Sequence, residues 1–223
     1  MNLIEYADAE LMMMDLANRL AGELRQALTG GSRASIAVPG GTTPGPIFDS
    51  LAAVDLDWGR VDVMLTDERW VPESSERSNT RLLRQRLLTG RAAGANLVPL
   101  YATADTPEDR LEELEAGVRA ALPLSVVLLG MGADMHMASI FPGADRLHEA
   151  LHGTAALVAM RAPGAPEPRI TLSARVLRQA ISRHIVITGT AKRKAIEAAR
   201  HLTPEEAPVG AILNGSVIHW AER

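Results

Sequence analysis

"SVVLLGMGADMHMASIFPG", residues 125–143, changes character halfway. Val126, Val127, Leu128 and Leu129 form a continuous apolar run, the pattern of a strand buried on both faces. The chain then turns through Gly130 and Gly132 and presents an acid, Asp134, and an imidazole, His136, flanked by Met135 and Met137. In an open α/β sheet, ligands bind outside the carboxyl ends of parallel strands, where such turns collect. The same pattern occurs three more times. "ASIAV" runs into Pro39, Gly40, Gly41, Thr42, Thr43 and Pro44. "VDVMLTDE" carries Thr66, Asp67, Glu68 and then Arg69. "HIVITG" ends at Gly189 and opens a helix whose first turn holds Lys192. If these strands are parallel neighbours, the four turns lie along one rim.

Helical stretches separate the strands, so the expected class is α/β, with a mostly parallel sheet covered by helices on both faces. "DAELMMMDLANRLAGELRQAL" has apolar residues at helical spacing and stops at Gly30-Gly31. Met12, Met13 and Met14 read as core filler on that helix. "SNTRLLRQRLL" is a helix capped by Ser78 or Asn79, and "TPEDRLEELEAGVRAAL" is an amphipathic one. Asn214-Gly215 reads locally as a hairpin turn, while "PVGAIL" reads equally as a helical turn before a last strand, "SVIHW". The one linker-like segment, residues 162–168, is too short to separate domains, so residues 1–223 are read as a single domain.

Composition narrows the function classes. The 223 residues are 47% hydrophobic and 22% charged, enough apolar matter for a sizeable core. A net charge of −4 gives no nucleic-acid footprint, so any positive site must be local. The absence of cysteine removes disulfides, thiolate metal ligands and a thiol nucleophile, and fits a reducing compartment. The N-terminal stretch lacks a basic n-region, and no apolar run reaches the roughly 20 residues of a membrane span. These features lead to the expectation of a cytoplasmic protein that binds neither nucleic acid nor membrane.

Taken singly, the polar residues are ambiguous. Gly40 and Gly41 allow close backbone approach, Thr42 and Thr43 add hydroxyls, and the following helix start aims amides at an anion; an ordinary βα turn has the same residues. Arg69 follows two acids, so an ion pair within "TDER" is its first reading. Lys192 and Lys194 are the only lysines among 23 basic residues. A retained lysine suggests a compact point charge, and Lys194 reads as solvated. Arg169 alone reads as surface. A lone His136 ranks first as structural, yet an imidazole beyond a Gly-x-Gly turn is also well suited to general-base work. "HEALH", residues 148–152, matches a zinc-protease pattern but fits only a short helix and lacks a third ligand. "GMGADM" has Met135 where a dinucleotide fingerprint needs its third glycine.

As an ordered set, "PGGTTP", "TDERWVPESSERSN", "LLGMGADMHMASIFPG", "RITLS" and "TGTAK" resemble the 6-phosphogluconolactonases, over residues 35–192. The resemblance implies a Rossmann-like α/β fold shared with the glucosamine-6-phosphate deaminases, and no metal or organic cofactor. It implies hydrolysis of 6-phospho-D-glucono-1,5-lactone in the pentose phosphate pathway, with His136 as the base that activates water. Arg69, Arg169 and Lys192, with Gly40, Gly41, Thr42 and Thr43, are then expected to hold the phosphate and sugar hydroxyls. Asp67 and Asp134 are left to orient partners. The partner expected is a phosphorylated sugar lactone, for a monomer or small homo-oligomer. This chain departs from the family's Asp-Gly-His-Thr by reading Asp134-Met135-His136-Met137. Methionine is strained if position 135 needs a positive φ, and crowds the sugar if it needs room. Two other readings stand beside the lactonase. A sugar-phosphate isomerase-deaminase usually has Asn-Glu where this chain has Ser139-Ile140-Phe141. A binding protein would keep the cationic clamp and have lost catalysis through Met135 and Met137.

Overall fold

The computed structural model describes residues 2–223. In chain order the strands are β1 (Asn2–Glu5), β2 (Ala34–Val38), β3 (Val61–Leu65), β4 (Asp67–Arg69), β5 (Asn96–Leu97), β6 (Val126–Gly130), β7 (Leu157–Met160), β8 (Arg169–Leu172), β9 (Ser182–Thr188) and β10 (Val217–Ala221). The α-helices are α1 (Ala9–Gly30), α2 (Gly45–Ala52), α3 (Asn79–Arg86), α4 (Leu111–Ala120), α5 (Leu147–His152), α6 (Ala174–Gln179) and α7 (Thr190–Ala198). Seven strands form one parallel sheet in the order β1-β10-β9-β6-β2-β3-β5. Every residue of β2 and β3 is buried, which requires cover on both faces of the sheet.

The sheet order explains the rim. From β2 the chain moves to β3 on one side and later returns to β6 on the other, so the direction of winding reverses between β2 and β6. A crevice opens at the carboxyl ends of strands at such a reversal. The four strands whose turns were singled out, β9, β6, β2 and β3, are consecutive neighbours.

Three expectations need correction. "VDVMLTDE" is not one strand. It breaks at Thr66, whose N–H still bonds the Val38 carbonyl at 2.9 Å while its own carbonyl accepts from Leu172 N–H at 2.9 Å. Thr66 therefore hands the chain from the parallel sheet to a second, antiparallel sheet in the order β4-β8-β7. The proline-rich residues 162–168 connect its antiparallel strands β7 and β8. Asn214-Gly215 makes no hairpin, because β10 pairs with β9 in parallel; "PVGAI" (Pro208–Ile212) is a 3₁₀ turn that lets the chain reverse first. Met14 is 54% exposed, since the buried stripe of α1 runs through Met12, Met13, Leu16, Ala17, Leu20, Ala21 and Leu24.

α3 is held by a residue from the second sheet. Ser78 is its N-cap, accepting from Arg81 N–H at 3.2 Å. Glu68, 1% exposed, accepts from Asn79 N–H at 2.9 Å, Thr80 N–H at 2.7 Å and Thr80 Oγ1 at 2.7 Å. It also accepts from Ser78 Oγ at 3.2 Å and from Arg69 N–H at 2.7 Å. A carboxylate at a helix N-terminus satisfies orphan amides and complements the dipole. Burial pushes the Glu68 carboxyl up from its usual range, against the pull of these donors. Glu68→Gln keeps the volume but turns an NH₂ group toward N–H donors. The variant should lose about 2 kcal/mol in denaturant unfolding; unchanged stability would show that the bonds to α3 contribute nothing net.

Candidate active site

The four rim turns enclose a cleft of about 330 Å³. Its walls include nine of the residues singled out from the sequence: Gly40, Gly41, Thr42 and Thr43 after β2, Asp67 and Arg69 in β4, His136 beyond β6, Arg169 in β8 and Lys192 in α7. Asp134 lies just outside the lining and reaches the cleft through its histidine.

The base end is built by a tight turn. Met135 N–H bonds the Gly132 carbonyl at 3.0 Å, and Gly132 N–H bonds the His136 carbonyl at 3.1 Å. Asp134 Oδ1 sits 2.6 Å from His136 Nδ1. A carboxylate only accepts, so Nδ1 carries the proton and Nε2 is left as the basic nitrogen. A Cβ on Gly132 would fall 2.2 Å from His136 Nδ1 and 2.3 Å from Asp134 Oδ1, so glycine makes the room this pair occupies. The imidazole also rests on Phe141, with ring centroids 4.2 Å apart.

Met135 has φ 66, so the left-handed conformation that a glycine would adopt freely is borne here by methionine. The other concern is not met: neither Met135 nor Met137 lines the cleft. Met137 is fully buried, and Met135 packs against the hydrophobic core.

The cationic end rests on β4 and β8. Their register places Arg69 directly opposite Arg169, although like charges across an antiparallel pair repel. The Nε of each guanidinium is buried without a hydrogen-bond partner. The expected ion pair within "TDER" is absent, because both acids are committed elsewhere. Glu68 turns to α3. Asp67, 6% exposed, accepts from Ser139 Oγ at 2.5 Å and from Thr66 Oγ1 at 3.1 Å. Asp67 also lies 3.8 Å from Arg169 Nη1. Arg69 Nη1 donates to the Arg77 carbonyl at 2.9 Å. Arg169 is largely buried rather than on the surface, and burial pulls its guanidinium below the usual range; Asp67 opposes this and Arg69 adds to it. Among the described residues no carboxylate lies within ion-pair distance of Arg69 or Lys192.

The glycine turn supplies donors. In the segment from Gly40 to Thr43 no backbone N–H finds an acceptor within the protein, and only the Thr42 carbonyl is used, by Gly45 N–H at 3.3 Å. Gly41 has φ 87. Gly40 is required for another reason: a Cβ there would lie 2.1 Å from Asn79 Oδ1. Asn79 was not foreseen as a site residue. It lines the cleft and donates to the Asp67 carbonyl at 3.1 Å. Ser139 and Phe141 were also missed, although "ASIFPG" contains them both. "HEALH" is the last five residues of the six-residue helix α5; His152 pairs with Glu205 at 2.7 Å. Among the described residues no group of three or more His, Asp or Glu is placed to hold a metal.

Comparison with known proteins gives one answer. Residues 7–220 match the family model described as glucosamine-6-phosphate isomerases/6-phosphogluconolactonase. A 6-phosphogluconolactonase of Rhizobium meliloti is 41% identical over 215 residues, covering 92% of each chain. One from Pseudomonas aeruginosa is 40% identical over 92% of this chain and 88% of its own. The crystal structure of a 6-phosphogluconolactonase from Shewanella baltica superposes with a TM-score of 0.92 at 31% identity, covering 99% of this chain and 97% of that one. A monomeric glucosamine-6-phosphate deaminase has the same fold, with a TM-score of 0.81 at 16% identity. With its motifs, topology and relatives in agreement, this chain belongs to the glucosamine-6-phosphate isomerase/6-phosphogluconolactonase family.

Proposed function

We propose that this protein hydrolyses 6-phospho-D-glucono-1,5-lactone to 6-phosphogluconate, a step of the pentose phosphate pathway, with His136 as general base. The observation that carries the reading is the opposed pair Arg69 and Arg169, each with a buried Nε unpartnered, in the same cleft as the His136–Asp134 pair. A cleft with surplus positive charge at one end and an oriented imidazole at the other suits an anionic substrate attacked by water.

The chemistry follows from those groups. The dianionic phosphate binds between Arg69, Arg169 and Lys192, where Asp67, 3.8 Å from Arg169, offsets part of the charge. Asp134 fixes the imidazole so that Nε2 accepts a proton from water as the water oxygen bonds to the lactone carbonyl carbon. The carbonyl π pair moves onto its oxygen, and free amides of the glycine turn are donors for that negative charge. Collapse of the intermediate breaks the bond to the ring oxygen, which takes the proton back from the imidazolium. The product is the open-chain acid.

The alternatives gain no support from the geometry. Where a deaminase usually carries Asn-Glu, Ser139 is committed to Asp67 and Ile140 is fully buried. A loss of catalysis by crowding of the sugar would need Met135 or Met137 in the cleft, and they lie outside it.

Three measurements test the proposal, each corrected for spontaneous lactone hydrolysis. His136→Ala should lower kcat about 10²–10⁴-fold while 6-phosphogluconate still binds; undiminished turnover refutes the base. Lys192→Met should raise KM by roughly 10–150-fold, the worth of one charged hydrogen bond, with a much smaller change in kcat. Met135→Gly should leave kcat essentially as it is and shift stability by less than about 1 kcal/mol, because glycine releases φ strain but gives up packing and ordering entropy. A large gain in kcat would mean that methionine distorts the site.

A further inference from the structure

The β1-β10-β9 side of the sheet buries a second set of titratable groups that the lactone chemistry does not use. His184 lies in β9 and His219 in β10. Their register pairs Val217 with His184 and His219 with Val186, so the two imidazoles are one two-residue step apart on one face. They are 3% and 0% exposed. α1 packs against β10 and offers Asp15, Arg19 and Glu23 at four-residue spacing, a single stripe of the helix. Tyr6, just beyond β1, stacks on His219 with ring centroids 5.8 Å apart.

These side chains form an unbroken line. Glu23 Oε2 is 2.9 Å from His184 Nε2, and His184 Nδ1 is 3.0 Å from His219 Nε2. His219 Nδ1 is 2.9 Å from the Tyr6 hydroxyl, which is 2.5 Å from Asp15 Oδ2. Arg19 Nε donates to the same Asp15 oxygen at 2.6 Å.

Four contacts join Glu23, His184, His219, Tyr6 and Asp15, and each needs one bridging hydrogen. Two neutral imidazoles and a phenol supply three, and ionised carboxylates supply none. With three, one contact is left as two lone pairs face to face. With a fourth, all four close in one direction. His184 donates from Nε2 to Glu23 and from Nδ1 to His219 Nε2, His219 donates from Nδ1 to the Tyr6 oxygen, and Tyr6 donates to Asp15. The charges then also cancel: two carboxylates against one guanidinium and one imidazolium.

We infer that this array is a proton-binding site, in which the fourth hydrogen makes His184 a donor from both ring nitrogens and fastens α1 and the segment after β1 to strands β9 and β10. The neighbouring groups agree with that placement of the proton. His219 is pushed down to about 3, by burial first and then by the His184 charge and Arg19, with Asp15 opposing, so His219 is the neutral ring. Tyr6 is pushed up to about 12, by burial and then by its bond to Asp15, so the phenol keeps its hydrogen. Arg19 and the Tyr6 hydroxyl hold the Asp15 carboxyl low, as its acceptor role requires.

The sign of the linkage follows. The unfolded chain releases its histidine protons near pH 6.5, whereas the folded array keeps one. The stabilisation from that proton is complete below pH 6.5 and fades as pH rises toward the point where the folded array lets it go, while His219, neutral in the fold, costs stability below pH 6.5. Between about pH 7 and 8.5 the array should raise the unfolding constant by up to tenfold per pH unit, the slope for one proton.

Two experiments decide the matter. Nitrogen-15 NMR of the imidazoles at pH 7 should show one slowly exchanging ring with two N–H groups and a second with one; a single N–H on each buried ring overturns the assignment. Denaturant unfolding should then be followed from pH 7 to 8.5 for the wild type and for Tyr6→Phe. The variant removes two contacts, and two neutral imidazoles close the remaining two. The proposal requires the unfolding constant of the wild type to rise with pH and this rise to be lost in Tyr6→Phe, and parallel profiles contradict it. Should Tyr6→Phe not fold, the wild-type spectrum alone decides between one doubly protonated ring and none.

Discussion

Two guanidinium groups face each other across β4 and β8, and much of this molecule is arranged to keep them there. Left alone, the pair would splay or draw in a carboxylate. Only Asp67 approaches, 3.8 Å from Arg169, because the nearby acids have other duties: Glu68 caps α3, and Asp67 is shared with Ser139 and Thr66. The ion pair Arg77–Glu167 ties the loops next to both arginines and takes Glu167 out of competition. The result is a site with less negative charge than positive, and an anion completes it.

That arrangement depends on the hand-over at Thr66. Had β3 simply continued, Asp67 and Arg69 would extend the parallel sheet and never meet β8. Because Thr66 keeps one backbone bond in each sheet, the chain crosses without an unsatisfied amide. The antiparallel sheet thereby stands beside the crevice made by the winding reversal between β2 and β6. Cations come from the small sheet and α7, while the base and free amides come from the large sheet. The cleft is where the two meet.

These relations divide what the sequence discloses from what it hides. The rim was legible because an apolar run ending in glycines carries its meaning locally, and residues 126–136 contain both features. The second sheet was not, since β4 is three residues long and follows β3 with no turn signal. Asn79 and Ser139 act through bonds to residues 12 and 72 positions away, which no local pattern encodes. The strain at Met135 was foreseeable from its place in a Gly-type turn, but the direction of its side chain was not. His184 and His219 sit in strand-like runs and read as ordinary strand residues. Their partner Glu23 lies 161 positions from His184.

The same sheet thus treats buried charge in two ways. Around His184 each donor has an acceptor once a single proton is added, and the charges sum to nothing, which is the condition under which a buried polar network rigidifies a fold rather than weakening it. Around Arg69 and Arg169 the count is left open: donors exceed acceptors, and the shortfall faces the cleft. An open count costs stability in the free protein, and a ligand that closes it recovers that cost on binding. The edge array suits such a partner, since β9, which carries His184, also leads into the helix that bears Lys192. A strand fastened at its start holds the ammonium at its far end in register with guanidiniums that come from a different sheet.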